Sequence, residues 1–523
     1  MKQDLRRLTR AAGTRLHHFH GGLRLRHHKQ QSCRLPVARP PLPSRLTVPL
    51  QQHAGETVAA CVQPGQRVLK GDLIGDGECQ RGVNVHAPTS GHVEAVSQHL
   101  LGHPSGLAGP CVVIRPDGAD QWRARQPLDD WQSLAGSELV QAICQAGIVG
   151  LGGAVFPTHR KMHHGQAARI HTLILNGAEC EPFISCDEML MREQPRKILA
   201  GARVLQHAIG AERTVIAIED QMGAVREALE AAIAEPGAAA IDLVCVPAIY
   251  PEGGERQLIQ VLTGQEVPSG GYPSDIGLLC QNVATAAAVA DAILEDRPLL
   301  ERYVTVTGSG VREPRNVLAL VGTPIADLIE FCGGYAPDAA RLVIGGPMMG
   351  YSLDSDAHPV VKATNCVLVL CHDEIASPQP EMPCIRCGEC ARVCPAQLLP
   401  QQLHWQIRNG LWEDAGASGL RDCIECGCCD FVCPSHIPLA QWFRHGKGEL
   451  RARRRQQLAA DHARERYLTR EARLARQQAE RAERMAQKKR ALRDDAARQR
   501  KVAAAIGRAA RKRSADSEPE PGP

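Results

Sequence analysis

Aromatic residues are scarce. Phe, Tyr and Trp together make up 3% of the 523 residues. The core must therefore rest on Ala, Val, Leu and Ile. No run of ~18 apolar residues occurs, so a transmembrane helix is not expected. The segment from Met1 to His20 is basic and lacks the apolar stretch of a secretory signal. The chain is therefore expected to stay in the cytosol. The basic C-terminal region lacks interleaved aromatics for base stacking, so no nucleic-acid partner is expected.

Cysteine is plentiful, with 21 residues. A reducing compartment argues against a disulfide framework. Nine cysteines fall between Cys384 and Cys433, and eight of these form two evenly spaced runs. The other twelve read as small core residues. Charge is uneven beneath a net +4. Residues 441–523 hold 24 Lys+Arg and 11 Asp+Glu, a balance of +13, which leaves −9 for the other 440. An acidic body with two basic ends points to a partner surface for the ends.

The length suggests about three to five domains, and the pattern is multidomain α/β and α+β. Residues 1–44 read as a basic arm, solvated and without metal, followed by a Pro-rich linker. Residues 45–120 read as short strands between turns. Gln63-Pro-Gly-Gln-Arg-Val-Leu-Lys-Gly-Asp72 and Ala87-Pro-Thr-Ser-Gly-His-Val93 resemble the two halves of a biotinyl/lipoyl-type barrel-sandwich domain. Lys70 precedes a turn glycine instead of sitting at a hairpin tip, so the domain is read as structural, without a covalent group.

Residues 135–300 alternate helix and strand. Helices are expected at 139–145, 196–209, 224–232 and 284–294, and strands at 172–175, 214–218 and 243–246. This is a three-layer α/β domain with a largely parallel sheet. Residues 301–352 resemble a soluble-ligand-binding β-grasp domain. Residues 375–445 form the Cys-rich module. Residues 447–513 predict a long exposed basic helix, and 514–523 a disordered end.

Cys384-x2-Cys387-x2-Cys390-x3-Cys394-Pro395 and Cys423-x2-Cys426-x2-Cys429-x3-Cys433-Pro434 share one spacing. This is the bacterial ferredoxin pattern for two 4Fe–4S clusters. Three thiols at i, i+3 and i+6 can face one cubane, while the fourth turns away and serves the other cluster. Cluster one should take Cys384, Cys387, Cys390 and Cys433. Cluster two should take Cys394, Cys423, Cys426 and Cys429. Cys428 falls outside the spacing. Zinc is the alternative, but its motifs normally pair Cys-x2-Cys units across a longer loop. Two adjacent clusters imply one-electron transfer.

Crowded glycines in Gly147-Ile-Val-Gly150-Leu-Gly152-Gly153-Ala154-Val-Phe156-Pro157-Thr158 allow close approach of backbone N–H groups to a phosphate or ring. A plain tight turn is the alternative for this loop alone. It is followed by Asn176-Gly-Ala-Glu179-Cys-Glu181-Pro182, Glu252-Gly-Gly-Glu255 and Gln281-Asn282-Val283. In this order the series resembles the NADH-oxidising flavoprotein subunit of respiratory complex I. The resemblance implies that Gly150, Gly152, Gly153, Lys161, Asn176 and Glu179 lie at FMN. It places Phe156, Glu181 and Glu255 at the nucleotide, and Asn282 is retained beside them. Val155, Ala178, Gly254 and Gln281 depart from that family.

The whole order of modules resembles the C subunit of the Rnf complex, the ion-translocating ferredoxin:NAD oxidoreductase, called Rsx in some bacteria. Residues 20–440 fit it, including His20-Gly-Gly22, Lys29 and Gln52-His53-x-Gly55. The resemblance implies a peripheral subunit on the cytoplasmic side of the inner membrane, holding NAD(H), FMN and two 4Fe–4S clusters. It implies the other Rnf/Rsx subunits and a ferredoxin-type protein as partners, and no acid–base catalytic residue. The basic tail is expected on an anionic lipid surface or an acidic partner. Two alternatives share these motifs: a soluble diaphorase-like dehydrogenase subunit, and a flavin-free electron wire.

Overall fold

Short runs of alternating burial build the first module in the computed structural model, which describes residues 16–79, 82–235, 241–377 and 379–515 but not the side chains of residues 166, 167 and 515. The strands are β1 (Leu46–Pro49), β2 (Ala59–Ala60), β3 (Arg67–Val68), β4 (Leu73–Asp76), β5 (Val85–His86), β6 (Gly91–Leu100) and β7 (Ala108–Pro116). They form two antiparallel sheets, β1-β7-β6-β3 and β2-β4-β5. Leu46, Val48, Leu50, Ile74, Val93 and Ile114 fill the space they enclose. Lys70 is buried, paired with Asp120 at 2.7 Å and held over the Trp122 ring.

The second module runs α1 (Gly136–Gln145), α2 (Thr158–Ala167), β8 (Thr172–Gly177), α3 (Cys186–Glu193), α4 (Pro195–Ile209), β9 (Arg213–Glu219), α5 (Gly223–Ile233), β10 (Ile241–Val246), α6 (Glu255–Thr263), β11 (Leu278–Asn282) and α7 (Val283–Glu295). The sheet order is β10-β9-β8-β11, and every pairing is parallel. Successive strand residues point to opposite faces. Leu173, Leu175, Ile216 and Ile218 pack on one side against α1, α4 and α7. Ile174, Val215 and Ala217 pack on the other against α6. Both faces are covered, as a parallel sheet requires. Strand β11 and helices α2 and α3 escape sequence periodicity. The five residues of β11 run straight into α7, and α2 is largely polar.

The arm is not solvated over its described part. Leu16 and Phe19 pack on the sheet's second face. Leu23 exchanges two backbone hydrogen bonds with Tyr250, at 2.7 and 2.9 Å. His28 stacks on Phe183 with ring centroids 4.7 Å apart. An extended segment held by irregular backbone bonds has no repeat for a sequence pattern to reveal. Residues 1–15 lie outside the described residues.

The third module holds β12 (Glu301–Thr307), β13 (Arg315–Leu320), α8 (Ile325–Phe331), β14 (Ala339–Ile344), β15 (Tyr351–Leu353) and β16 (Cys366–Cys371). The sheet order β13-β12-β16-β14-β15 puts β16 at its centre. The sheet therefore extends past residue 352, where the sequence pattern ends it. A second correction concerns cysteine, because Cys79 and Cys144 form a disulfide. Their separation of 65 residues gives no sequence sign. Asn84 reaches the end of α1 in the same region, its Nδ2 donating to the Gln145 carbonyl at 3.3 Å.

The Cys-rich module contains α9 (Glu389–Arg392), α10 (Pro400–Arg408), α11 (Trp412–Ala417), α12 (Cys428–Phe431) and the start of α13 (Leu439–Ala515). Its halves repeat with a 39-residue offset (423 − 384), and the backbone repeats with them. Arg386 and Glu425, Gly388 and Gly427, and Gln397 and His436 all have positive φ. The chain divides into units 1–446 and 447–523. In the second unit, residues 451–514 are helical and exposed. Residues 514 and 515, expected to be disordered, belong to this helix, while 516–523 lie outside the described residues.

Candidate functional site

From β8 the sheet continues through β9 and β10 on one side and to β11 on the other. That reversal leaves the carboxyl ends of β8 and β11 adjacent, with Asn176 opposite Asn282. Open α/β sheets bind ligands in the crevice outside such ends. The glycine-rich loop, the 176–182 loop and the 250–255 loop converge there.

The glycine-rich loop is fixed from both sides. The Leu151 amide donates to Thr285 Oγ1 at 2.9 Å, and the buried Arg302 guanidinium donates to the Leu151 carbonyl at 3.1 Å. The Gly150 amide donates to the Phe156 carbonyl at 2.8 Å. A Cβ at Gly152 would lie 3.1 Å from the Asn282 Cβ. At Gly153, φ is +124°, a conformation that disfavours an L side chain, and an added Cβ would meet nothing within 4 Å. Gly153 therefore borders open space, as a backbone that must approach a flat ligand should.

Asn282 caps α7, its Oδ1 accepting from the Ala284 amide at 2.8 Å, while its Nδ2 donates to Asp187 Oδ2 at 2.5 Å. Asn176 Oδ1 accepts from the Ala178 amide at 3.0 Å, and its Nδ2 donates to the Gly253 carbonyl at 2.8 Å. Lys161 and Glu255 pair at 2.5 Å. Burial pushes the Lys161 ammonium down, but Glu255 more than offsets this and the net shift is upward. The N-termini of α6 and α7 thus reach the crevice and favour an anionic group there. The Phe156 ring lies 5.8 Å from the Arg160 guanidinium.

Two of the acidic residues also hold neighbouring elements. Glu179 Oε1 accepts from the Asp187 amide at 3.0 Å, and its Oε2 lies 3.7 Å from Lys29 Nζ. Burial raises its carboxyl to about 7, against the pull of Lys29. Glu181 Oε1 accepts from the amides of Met348 and Met349 at 2.8 and 3.0 Å. It thereby holds the β-grasp loop, where the resemblance implied a nucleotide contact.

The eight regularly spaced cysteines line two cavities. One is lined by Cys384, Cys387, Cys390 and Cys433. The other is lined by Cys394, Cys423, Cys426 and Cys429. The fourth thiol of each run crosses to the other cavity. Each cavity brings together four regularly spaced cysteine sulfurs with apolar neighbours such as Ile437 and Leu439, or Leu398 and Phe443. That donor set fits a cubane cluster. Cys428 is buried and also borders the second cavity.

Sequence reasoning missed Tyr250. It is 3% exposed, and its hydroxyl donates to the Cys426 carbonyl at 2.6 Å. The one signal in the sequence was its position before Pro251 and Glu252-Gly-Gly-Glu255 in a chain with only six tyrosines. Asp187, Thr285 and Arg302 were missed too, and they carry no motif.

The chain matches the Nuo51 FMN-binding domain over residues 143–291 and the RnfC barrel sandwich hybrid domain over 17–119. It matches the SLBB domain over 303–352 and the 4Fe-4S dicluster domain over 383–437. The C subunit of an ion-translocating oxidoreductase complex from Pseudomonas aeruginosa is 47% identical over 89% of this chain and 60% of its own length. The Edwardsiella ictaluri protein of the same name is 46% identical over 90% and 58%, respectively. The one from Serratia proteamaculans is 45% identical over 90% and 66%. The chain thus spans about three fifths of the length of these relatives. A crystal structure of a NAD+-reducing NiFe-hydrogenase aligns with a TM-score of 0.42 at 20% identity, over 64% of each chain.

Proposed function

The chain belongs, over about nine-tenths of its length, to the family of C subunits of ion-translocating oxidoreductase complexes, and we propose that it is the electron-transfer subunit of such a complex. It passes electrons between NAD(H), FMN and two 4Fe–4S clusters, to or from partner subunits. The observation that carries this reading is the presence of the sheet-end crevice and two four-cysteine cavities in one chain, with the 250–255 loop of the crevice tied to the second cavity by the Tyr250–Cys426 hydrogen bond.

Bound FMN supplies the exchange between two-electron and one-electron transfer. The protein supplies position. Gly150, Gly152 and Gly153 bring backbone against the flavin, with Asn176 and Asn282 at the strand ends. Lys161 and the N-terminus of α7 offer positive charge to its phosphate. Phe156 and Glu255 border the nucleotide. Glu179 and Glu181 act from behind the site: one fixes the start of α3 and Lys29, the other fixes the β-grasp loop. Cluster one takes Cys384, Cys387, Cys390 and Cys433, and cluster two takes Cys394, Cys423, Cys426 and Cys429.

No described helix is long and apolar enough to cross a membrane. In this reading the protein sits peripherally, on the cytoplasmic side of the inner membrane, held by its partners. A ferredoxin-type protein exchanges electrons with the assembled complex. The basic helix 447–513, with 23 Lys+Arg and eight Asp+Glu, adds contact with anionic lipid, each cation near the surface contributing ~1 kcal/mol. Anaerobically purified protein tests the reading. It should hold about eight irons, four per cluster, with extractable FMN, and NADH should bleach its flavin and cluster absorbance. Iron and sulfide without flavin, and no response to NADH, would reduce the protein to an electron wire.

A further inference from the structure

The two cluster cavities differ in what surrounds them. The cavity of Cys394, Cys423, Cys426 and Cys429 is built into the α/β domain. Tyr250, Cys426 and Cys428 form one buried group, with Leu23, Cys180, Met348 and Val393 packed around it. The arm joins the same place: the Gly22 amide donates to the Val393 carbonyl at 3.0 Å, and the His20 ring lies 2.9 Å from the Cys394 carbonyl oxygen. Asp422, beside Cys423, accepts from Ser269 Oγ at 2.5 Å and lies 3.7 Å from Arg256. A Cβ at Gly427 would press on the Met348 carbonyl at 2.9 Å.

The cavity of Cys384, Cys387, Cys390 and Cys433 is set differently. Cys384 and Cys387 are exposed, and the intervening Ile385 is 69% exposed. The hydrogen bonds around it, Met382 N to the Ser435 carbonyl, Ser435 Oγ to the Pro383 carbonyl and Cys390 Sγ to Gln401, stay within the Cys-rich module.

We propose that the Cys394/Cys423/Cys426/Cys429 cluster is the inner relay, exchanging electrons directly with the flavin site, that the Cys384-side cluster is the outer relay, and that Tyr250 is the residue positioning the inner one. This rests on the flavin and cluster reading above and orders its parts. Tyr250 closes the 250–255 loop, whose Gly253 carbonyl is held by Asn176 at the flavin crevice. Its other end is bonded to the backbone of a cluster ligand. The 250–255 loop thus touches both sites, with Tyr250 at its cluster end. Each relay step moves one electron, lowering one centre's count by one and raising the next by one, with no bond made or broken. A buried carbonyl that has lost its hydrogen-bond donor presents its negative end uncompensated. Removing the Tyr250 hydroxyl should therefore disfavour the extra electron on the inner cluster, since hydrogen bonding tunes such potentials.

Three variants of the full chain test this, each checked for iron and flavin content. In Cys384→Ser, which retains the inner cluster, NADH should still reduce the remaining cluster, as followed by low-temperature EPR. In Cys423→Ser, which retains the outer one, NADH should reduce it far more slowly, although dithionite reduces it fully. The reverse pattern overturns the order. If NADH reduces no cluster in the unaltered protein while dithionite does, the underlying flavin reading fails instead. Tyr250→Phe keeps both clusters and removes only a hydroxyl, which faces the Glu181 carboxylate as well as the Cys426 carbonyl. An EPR-monitored redox titration should show its inner-cluster potential lowered, by ~59 mV for a tenfold change in a one-electron equilibrium, with the outer cluster unmoved. No shift, or an equal shift of both clusters, overturns the role of Tyr250.

Discussion

Asn282 stands opposite Asn176 at the ends of β11 and β8, the single point where the sheet order of the α/β domain reverses. The two amides divide the work. Asn282 caps the helix that follows it, and Asn176 ties its strand to the Gly253 carbonyl. Gly152 lies directly on Asn282, so the glycine-rich loop is seated on this pair.

Gly152→Val should therefore expel FMN. The new side chain would start 3.1 Å from the Asn282 Cβ, already tighter than ordinary contact, and would lift the loop off the strand ends. Flavin released by acid extraction should fall at least severalfold while iron content stays at its normal level. Unchanged flavin content would place the cofactor elsewhere.

The crossing of the fourth cysteines gives a second expectation. Cys394→Ala should damage the cluster of the second run, and Cys433→Ala that of the first. EPR of each variant after dithionite reduction should lose the signal of the opposite run. Loss of the cluster belonging to the mutated cysteine's own run would show an uncrossed arrangement.

Lys362 makes stability depend on pH. It is 1% exposed, and its ammonium donates to the Asn84 and Gly147 carbonyls, at 2.8 and 2.7 Å. Burial pushes its ammonium down to about 7, against about 10.4 in an unfolded chain. Between those values the unfolded chain holds more protons, so stability should climb as pH rises from about 7 to about 10. Below about 7 both states are charged and this contribution is flat. Lys362→Met should flatten the climb in a series of thermal melts. An identical slope in the variant would remove Lys362 as its source.

Deleting residues 447–523 should spare both clusters and NADH oxidation, because no cofactor residue lies there. It should weaken retention on vesicles containing anionic lipid, most clearly at low salt. The difference should shrink at high salt, since exposed charges are screened over a Debye length of ~8–10 Å near physiological strength. Equal retention of full-length and truncated protein across a salt series would leave the helix without an anchoring role.

Local chemistry was written along the chain. Cysteine spacing, glycine crowding and alternation of apolar residues are short-range properties, set by backbone geometry within a few residues. They were enough to mark the two cysteine runs, the glycine-rich loop, the long basic helix and strands at 172–175, 214–218 and 243–246, each of which the structure extends by one or two residues at one or both ends. The tertiary structure decided what lies across from what. Tyr250 meets Cys426 over 176 positions, and Arg302 meets Leu151 over 151. The arm reads as solvated because it carries no periodicity, yet within residues 16–35 backbone bonds pin it to the α/β and Cys-rich modules. Glu181, which the resemblance sets at the nucleotide, also ties the 348–349 loop through Oε1, a pairing across 167 and 168 positions that no motif marks. Such contacts depend on how separately folded modules dock, through buried polar groups that must find partners wherever the packing brings one.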